Sequence, residues 1–501
     1  MPAIDVVIAG GGPNGLMLAC ELSLAGVRPL VLERLTERSQ EQRANGLVGQ
    51  VVRLLHRRGL YERLAQGEPR PVPQYMFGAF PLDLARLPEN PVYVLPVPQQ
   101  ELERVLEARA LELGVEIRRG HAVTGFSQDD SVRVSVAGPS GEYTVDTSFL
   151  VGADGGRSTV RKLAGIEFPG VTRVNVVSHT AHVSVPDSLR DPATGGLRVE
   201  GVGVIPPFRH FRTEKGLFVF APFPNAAPLV SSSERDRPQV PDEVAPTLAE
   251  LRASVQRVLG VDLPLDPPTG PGPHQLRRVS SGNTRLASTF RTGRVLLVGD
   301  SAHVHSAIGG PGLNLGLQDA ANLAWKLAAE VRGWAPADLL DTYDAERRPV
   351  SRRVVMHTQA QGALTAPGPE VTELRELVGE LLGYQDVTQH LADLLSGADI
   401  RYGDDPHPLV GRWAPELPVA AFRTARPVLV TSSASVASLA SLASGWQDRV
   451  DTATATLADD VTALLIRPDG YVAWASSDAQ PDATGLEKAL TRWFGPVTAA
   501  G

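Results

Sequence analysis

The chain of 501 residues suggests about three domains, and its 48 Lys and Arg against 56 Asp and Glu leave a net charge of −8 with 43% apolar side chains. That balance excludes a disordered or collagen-like chain, and the absence of any concentrated positive charge or long apolar run excludes nucleic acid and membrane as partners. Cys20 is the single cysteine, so internal disulfides, CxxC redox pairs and thiolate metal clusters are excluded, no metal site is expected, and with no signal-peptide pattern a cytoplasmic protein is expected.

Ile4 to Ala9 is a short apolar run that reads as a buried parallel strand. It runs into Gly10-Gly11-Gly12-Pro13-Asn14-Gly15, a GxGxxG pattern, followed by a helix from Leu16 to Ala25 that Gly26 stops. A second strand, Arg28 to Leu32, ends at Glu33. In such a unit Gly10 permits the tight turn, Gly12 lets the backbone approach a pyrophosphate, and Gly15 lets helix and strand pack closely. The amides of the helix start face the phosphates. Glu33 lies on the order of 20 residues after the glycines, where a carboxylate accepts from both hydroxyls of an adenosine ribose. The fingerprint predicts a dinucleotide with a free 2′-hydroxyl and leaves NAD and FAD open. Cys20, within the helix, reads as a small core residue.

Beyond Glu33 and its neighbour Arg34 comes Arg43-Ala44-Asn45-Gly46, then a helical segment from about Gly49 to Ala65. A further helix runs from Gln99 to Leu113, is stopped by Gly114, and leads to a strand at Val115 to Arg118. Gln99 at its start either reaches a cofactor or caps the helix. Phe149 to Gly152 is again an apolar strand, entering Ala153-Asp154-Gly155-Gly156 and a helix with Ser158 as its cap. A third strand, Arg294 to Val298, ends in Gly299-Asp300-Ser301-Ala302-His303. Gly309-Gly310-Pro311-Gly312-Leu313-Asn314 then opens a long helix, Leu315 to Arg332, whose first amides suit a second anionic group. One nucleotide reaching all three strand ends must be long.

Between about Val171 and Arg291, alternation at Val174, Val176, Val183 and Val185 predicts a β-rich insert. Phe208, Phe211, Phe218, Phe220 and Phe223 gather there with His210. They either wall a pocket for a flat polycyclic ligand or form sheet core. In the tail, Ala463 to Arg467, Pro468-Asp469-Gly470 and Tyr471 to Ala475 read as strand, turn and strand, a hairpin.

The three ordered motifs, the glycine run at 10–15, Asp154-Gly155 with Ser158 and Arg161, and Gly299-Asp300, resemble over the full length the FAD-dependent aromatic hydroxylases. These are single-component flavoprotein monooxygenases of the para-hydroxybenzoate hydroxylase type, and the likeness is to their actinomycete polyketide-tailoring branch. The resemblance implies an α/β protein with a discontinuous Rossmann-like FAD-binding domain at 1–170 and 276–395. It further implies a β-rich substrate domain at 171–275 with part of 70–98, and a thioredoxin-like C-terminal domain at 402–501 that lacks redox cysteines. Carried onto this chain, it places Gly10, Gly12 and Gly15 at the pyrophosphate and Glu33 at the adenosine ribose, with Pro13, Asn14 and Arg34 also among the cofactor-binding residues. Arg43, Gln99 and Asp154 fall at FAD-contacting positions, Asp300 at the ribityl or pyrophosphate region, and Ala307, Gly310, Gly312, Leu313 and Asn314 around the isoalloxazine. The proposed substrate wall is Phe208, His210, Phe218, Phe220 and Phe223. Two residues depart from the family pattern: Ala307 stands where proline is usual and Pro311 where glutamine is common.

The activity this implies is insertion of one oxygen atom from O2 into a polycyclic aromatic polyketide, with NADPH or NADH as transient reductant and a flavin C4a-hydroperoxide as the oxidant. No side chain is assigned as an obligatory base. Baeyer–Villiger insertion or another oxidative rearrangement, an antibiotic-inactivating hydroxylase, and a flavin-binding accessory protein share the same motifs. The expected partner is a small molecule, the chain being a monomer or homodimer.

Overall fold

A computed structural model describes residues 4–39, 44–173, 175–223, 226–238, 240–241, 243–270, 272, 274–280, 282–432, 437–458 and 460–497. Its principal sheet has the strand order Arg291–Thr292, Val295–Leu297, Gly141–Gly152, Ile4–Ala9, Pro29–Glu33 and Glu116–Arg119. The last five pair in parallel, whereas Val132–Gly138 and Ala122–Gln128 extend the long strand as an antiparallel ribbon. Ile4–Ala9 is central and its Val6, Val7 and Ile8 are fully buried, which is why the strand reads as a continuous apolar run with no polar alternation. Helices Pro13–Leu24, Gln99–Glu112 and Pro311–Val331 pack together against this sheet around one large apolar cluster.

Register decides where the three motifs meet. Ala9 lies opposite Leu32 on one side and Gly152 on the other, and Gly152 lies opposite Leu297. Gly10, Ala153-Asp154 and Val298-Gly299 therefore leave the sheet side by side at its carboxyl edge, the position where open parallel sheets bind ligands.

The insert forms a five-stranded antiparallel sheet, in the order Phe211–Thr213, Gly216–Ala221, Leu229–Arg235, Val176–His182 and Leu276–Val279. The helix Leu248–Leu259 covers one face, started by a reciprocal Thr247–Glu250 capping box and ended by Gly260 in the left-handed conformation. In the tail, Asp451–Thr454, Val428–Thr431, Ala463–Ile466 and Val472–Ser476 form a four-stranded sheet, its first pair parallel and the rest antiparallel. Helix Ala483–Phe494 packs on it, started by Asp482, whose carboxylate accepts from the amides of Thr484 and Gly485. The tail is locked to the first unit by buried charges: Glu346 accepts from Lys326, Asn322 and Arg467, and Arg467 also meets Asp469. No helix among the described residues is long and apolar enough to cross a membrane.

Several element ends differ from the sequence reading. The segment after Gly49 is helical only to Arg57, followed by a short turn at Tyr61–Arg63. The long helix starts at Pro311, four residues before Leu315. Pro311 sits in its first turn, where an amide has no intrahelical partner, so the missing N–H costs the helix nothing.

Candidate active site

The three turns enclose a cavity of about 680 Å³. Its glycine wall is set by contact distances. Gly10 has φ +116°, and a Cβ there would lie 2.4 Å from the carbonyl oxygen of Ala153. A Cβ on Gly15 would lie 2.0 Å from the Gly10 oxygen. Gly12 differs: its φ of −78° suits any residue, and nothing lies within 4 Å of a Cβ built there. Glycine at 12 thus keeps space open on the cavity side, whereas Gly10 and Gly15 permit close packing of the turn. Asn14 lines the cavity and is wedged so close to Gly299 and Gly316 that a Cβ on either would fall within 2.4 Å of its amide.

Glu33 lies across from the glycines, accepting from the Gly11 amide at 2.7 Å and the Leu35 amide at 2.8 Å. Each carboxylate oxygen keeps a further acceptor site. Arg34 and Gln99 line the same wall, and the Gln99 amide donates to Glu103 at 2.8 Å while its backbone N–H donates to the Ala44 oxygen. Arg43 lies outside the described residues.

Asp154 borders the cavity, but its carboxylate is engaged locally. It accepts from the Ser158 hydroxyl and from the amides of Thr159 and Val160, while Ser158 accepts from the Arg161 amide. This double cap starts the helix Thr159–Leu163. Arg161 then donates to the Ser301 oxygen at 2.8 Å and the Gly156 oxygen at 3.0 Å, tying the second turn to the third. Ser301 donates back to the Gly152 oxygen at 2.6 Å, and Asp300 between these ties lines the cavity.

The opposite end of the wall is the segment 304–313. Gly309 and Gly310 have φ of +78° and +68°, and the Gly310 amide donates to the Ala307 oxygen, folding the loop so that Ala307, Gly310, Gly312 and Leu313 line the cavity. Asn314 is absent from that lining: its side chain accepts from the Val48 amide at 2.8 Å and donates to the Gly310 oxygen at 2.8 Å, bracing the loop from behind. Neither helix opening at the cavity, Pro13–Leu24 or Pro311–Val331, has a side-chain cap or an acidic residue in its first turn. Two free amide ends facing one elongated space with an opening at Gly12 suit a long dianionic dinucleotide, so the residues fit FAD.

Sequence reasoning missed five contributing residues. Tyr75, in an otherwise featureless hairpin, donates its hydroxyl to the Gly309 oxygen. His305 lines the cavity beside Gly312. Behind it, His303, Asp319 and Arg347 form a fully buried chain, with His303 Nε2 to Asp319 at 2.6 Å and Arg347 to Asp319 at 2.8 Å. The His-x-His spacing after Asp300 was the available signal.

The aromatic wall is corrected by the structure. Phe218 and Phe220 are fully buried, not pocket-lining, because residues two apart share a strand face and that face is covered by Leu251, Val255 and Val258 of helix Leu248–Leu259. Phe208 is 47% exposed with its ring edge-on to Phe223 at 5.4 Å, and His210 rests against Met76. None of the five lines the cavity.

Comparison with known proteins agrees with this geometry. An FAD-binding domain family matches residues 3–358 and an aromatic-ring hydroxylase C-terminal family matches residues 407–497. A 12-dehydrotetracycline 5-monooxygenase/anhydrotetracycline 6-monooxygenase of Streptomyces rimosus is 43% identical over 98% of this chain and 99% of its own. A rifampicin monooxygenase of Streptomyces venezuelae is 39% identical over 99% of both chains. The solved structure of OxyS anhydrotetracycline hydroxylase from Streptomyces rimosus superposes with a TM-score of 0.85 at 40% identity, covering 99% of each chain. With its cavity built from three glycine-bearing strand ends and both family domains in order, the chain belongs to the FAD-dependent aromatic-ring hydroxylases.

Proposed function

We propose that this protein is an NAD(P)H-consuming monooxygenase that hydroxylates a polycyclic aromatic polyketide with O2. The observation that carries the reading is one elongated cavity bounded by all three motifs and two uncapped helix starts, in a chain of this family. FAD, when bound, supplies the redox and oxygen-activating chemistry. The protein's residues bind and orient. The Gly12 opening and the amides of helix Pro13–Leu24 hold the pyrophosphate, and Glu33 holds the ribose with the acceptor sites its backbone contacts leave unused. Asp300 holds the chain between pyrophosphate and ring, and the start of helix Pro311–Val331 with Gly312 and Leu313 holds the ring end. Asp154 acts on the site indirectly, by capping.

The apolar clusters support a discontinuous FAD-binding domain, a β-rich substrate domain and a tail domain at 402–501; the strand Leu276–Val279 pairs within the substrate sheet, so that domain is drawn at 171–279 and not 171–275, with the hairpin of 70–98 that Arg209 and His210 contact. The strand–helix–strand followed by an antiparallel hairpin and helix supports a thioredoxin-like reading of that tail. Cys20 is buried and far outside it in sequence, so the tail acts as a brace without thiol chemistry. We read the protein as a cytoplasmic monomer or homodimer.

The test is direct. Purified protein carries yellow FAD, oxidises NAD(P)H faster when polycyclic phenols are added, and yields a product heavier by one oxygen atom. Colourless protein that does not take up FAD overturns the reading. Yellow protein that never oxidises NAD(P)H points to an accessory role, and an inserted ring oxygen in the product points to Baeyer–Villiger chemistry.

A further inference from the structure

The end of the cavity formed by Val48, Tyr75 and the segment 304–313 is nearly exhausted of hydrogen-bonding side chains. Tyr75 donates to the Gly309 oxygen, and the Asn314 amide is divided between Val48 and Gly310. His305 is the exception. Its Nδ1 lies 3.0 Å from the Ser306 carbonyl oxygen, which can only accept, so Nδ1 carries the proton and Nε2 presents a lone pair. No partner for Nε2 is found among the described residues, and Gly312 lies beside it, a Cβ on that glycine falling 3.7 Å away. The imidazole lies nearly parallel to that of His303, centroids 6.3 Å apart and planes 17° apart, and His303 is held by Asp319. Burial pulls the His305 pKa down to about 4, so the ring is neutral at physiological pH and remains an acceptor.

We propose that His305 Nε2 is the hydrogen-bond acceptor for a phenolic hydroxyl of the substrate, orienting the ring that is to be oxygenated at the loop end of the cavity. The proposal rests on the polycyclic-phenol reading given above. A neutral acceptor there raises electron density on the ring by leaning on its O–H bond and admits substrates by the presence of that hydroxyl. It also gives a use to the Ser306 contact and the near-parallel His303 ring, which set the orientation of the imidazole. An acceptor that selects one ring position must not rotate.

The experiment uses the FAD-loaded full chain, wild type, His305→Leu and His305→Gln, titrated with 2-hydroxyanthraquinone and with its methyl ether, following the visible flavin absorbance. Wild type is expected to bind the phenol about fivefold tighter than the ether, His305→Leu to bind both alike, and His305→Gln, which retains an acceptor oxygen, to recover part of the preference. FAD retention stays at the wild-type level in His305→Gln. A phenol preference that survives in His305→Leu overturns the assignment while leaving the hydroxylase reading intact. Loss of FAD from both variants shows that the imidazole instead holds the loop, which also overturns it. Binding of neither compound by wild type overturns the substrate reading and this proposal with it.

Discussion

The glycine-lined groove and the aromatic strand Gly216–Ala221 both present a short run of one residue type, yet they relate to ligand space in opposite ways. At the groove, glycine at positions 10 and 15 is required by backbone oxygens that a Cβ would meet at 2.4 and 2.0 Å, and the requirement is local to a turn between a strand and a helix. On the strand, phenylalanine only says that one face is apolar; which body covers that face depends on a helix thirty residues further along the chain. Residue types demanded by local backbone geometry are informative about place, whereas apolar side chains are informative only about burial.

The sharpest break of this contrast lies within the groove. Gly15→Ala drives a Cβ into the Gly10 carbonyl and is expected to cost about 3 kcal/mol or more, leaving little soluble protein. Gly12→Ala meets no atom, so the melting temperature of the FAD-free protein is unchanged while FAD affinity by equilibrium titration falls at least tenfold, about 1.4 kcal/mol. If both substitutions lower stability equally, the division between packing and cradle glycines is wrong.

On the aromatic side, Phe218→Ala empties a fully buried site and is expected to cost about 3–5 kcal/mol in denaturant unfolding. Phe208 is exposed and holds a left-handed φ of +59°, so Phe208→Gly is expected to stabilise by about 1 kcal/mol. Equal destabilisation by the two would return Phe208 to the core. Asp154→Ala removes a helix cap and is expected to cost about 1–2 kcal/mol, with weaker FAD retention following from the lost turn.

Acid should separate the buried histidines from the buried carboxylates. Burial holds the pKa of both His305 and His357 down to about 4, so their neutral forms favour the fold; that stability is complete above the unfolded value near 6.5 and is lost as pH falls toward 4. Burial opposes ionisation of Glu346 and Asp319, but Arg467 and Lys326 in the first case, and Arg347 and His303 in the second, outweigh it and hold both carboxyls below their usual range. Their contribution is complete above the unfolded carboxyl values and is lost below about pH 4. Thermal melts should therefore decline in two stages, first from pH 6.5 and more steeply below 4; a flat profile down to pH 4 would remove the histidine stage. The smallest effect is expected for Ala307→Pro, a change in the rate of reoxidation of the reduced flavin measured by stopped flow, since Ala307 lines the cavity.

The strands entering Gly10, Asp154 and Gly299, the order of the motifs and the presence of a long helix after the third were readable from the chain, because each is dictated by contacts within a few residues, although that helix starts at Pro311 and not at Leu315. Partition of side chains was not. Asn314 and Asp154 are spent on Val48 and on a helix cap, Phe218 and Phe220 face a helix, and His305 keeps Nε2 as its acceptor because Ser306 takes the other nitrogen. A hydrogen-bonding group has few partners and a strand has two faces, and which partner or face is filled is settled by segments distant in sequence that meet only when the chain has folded.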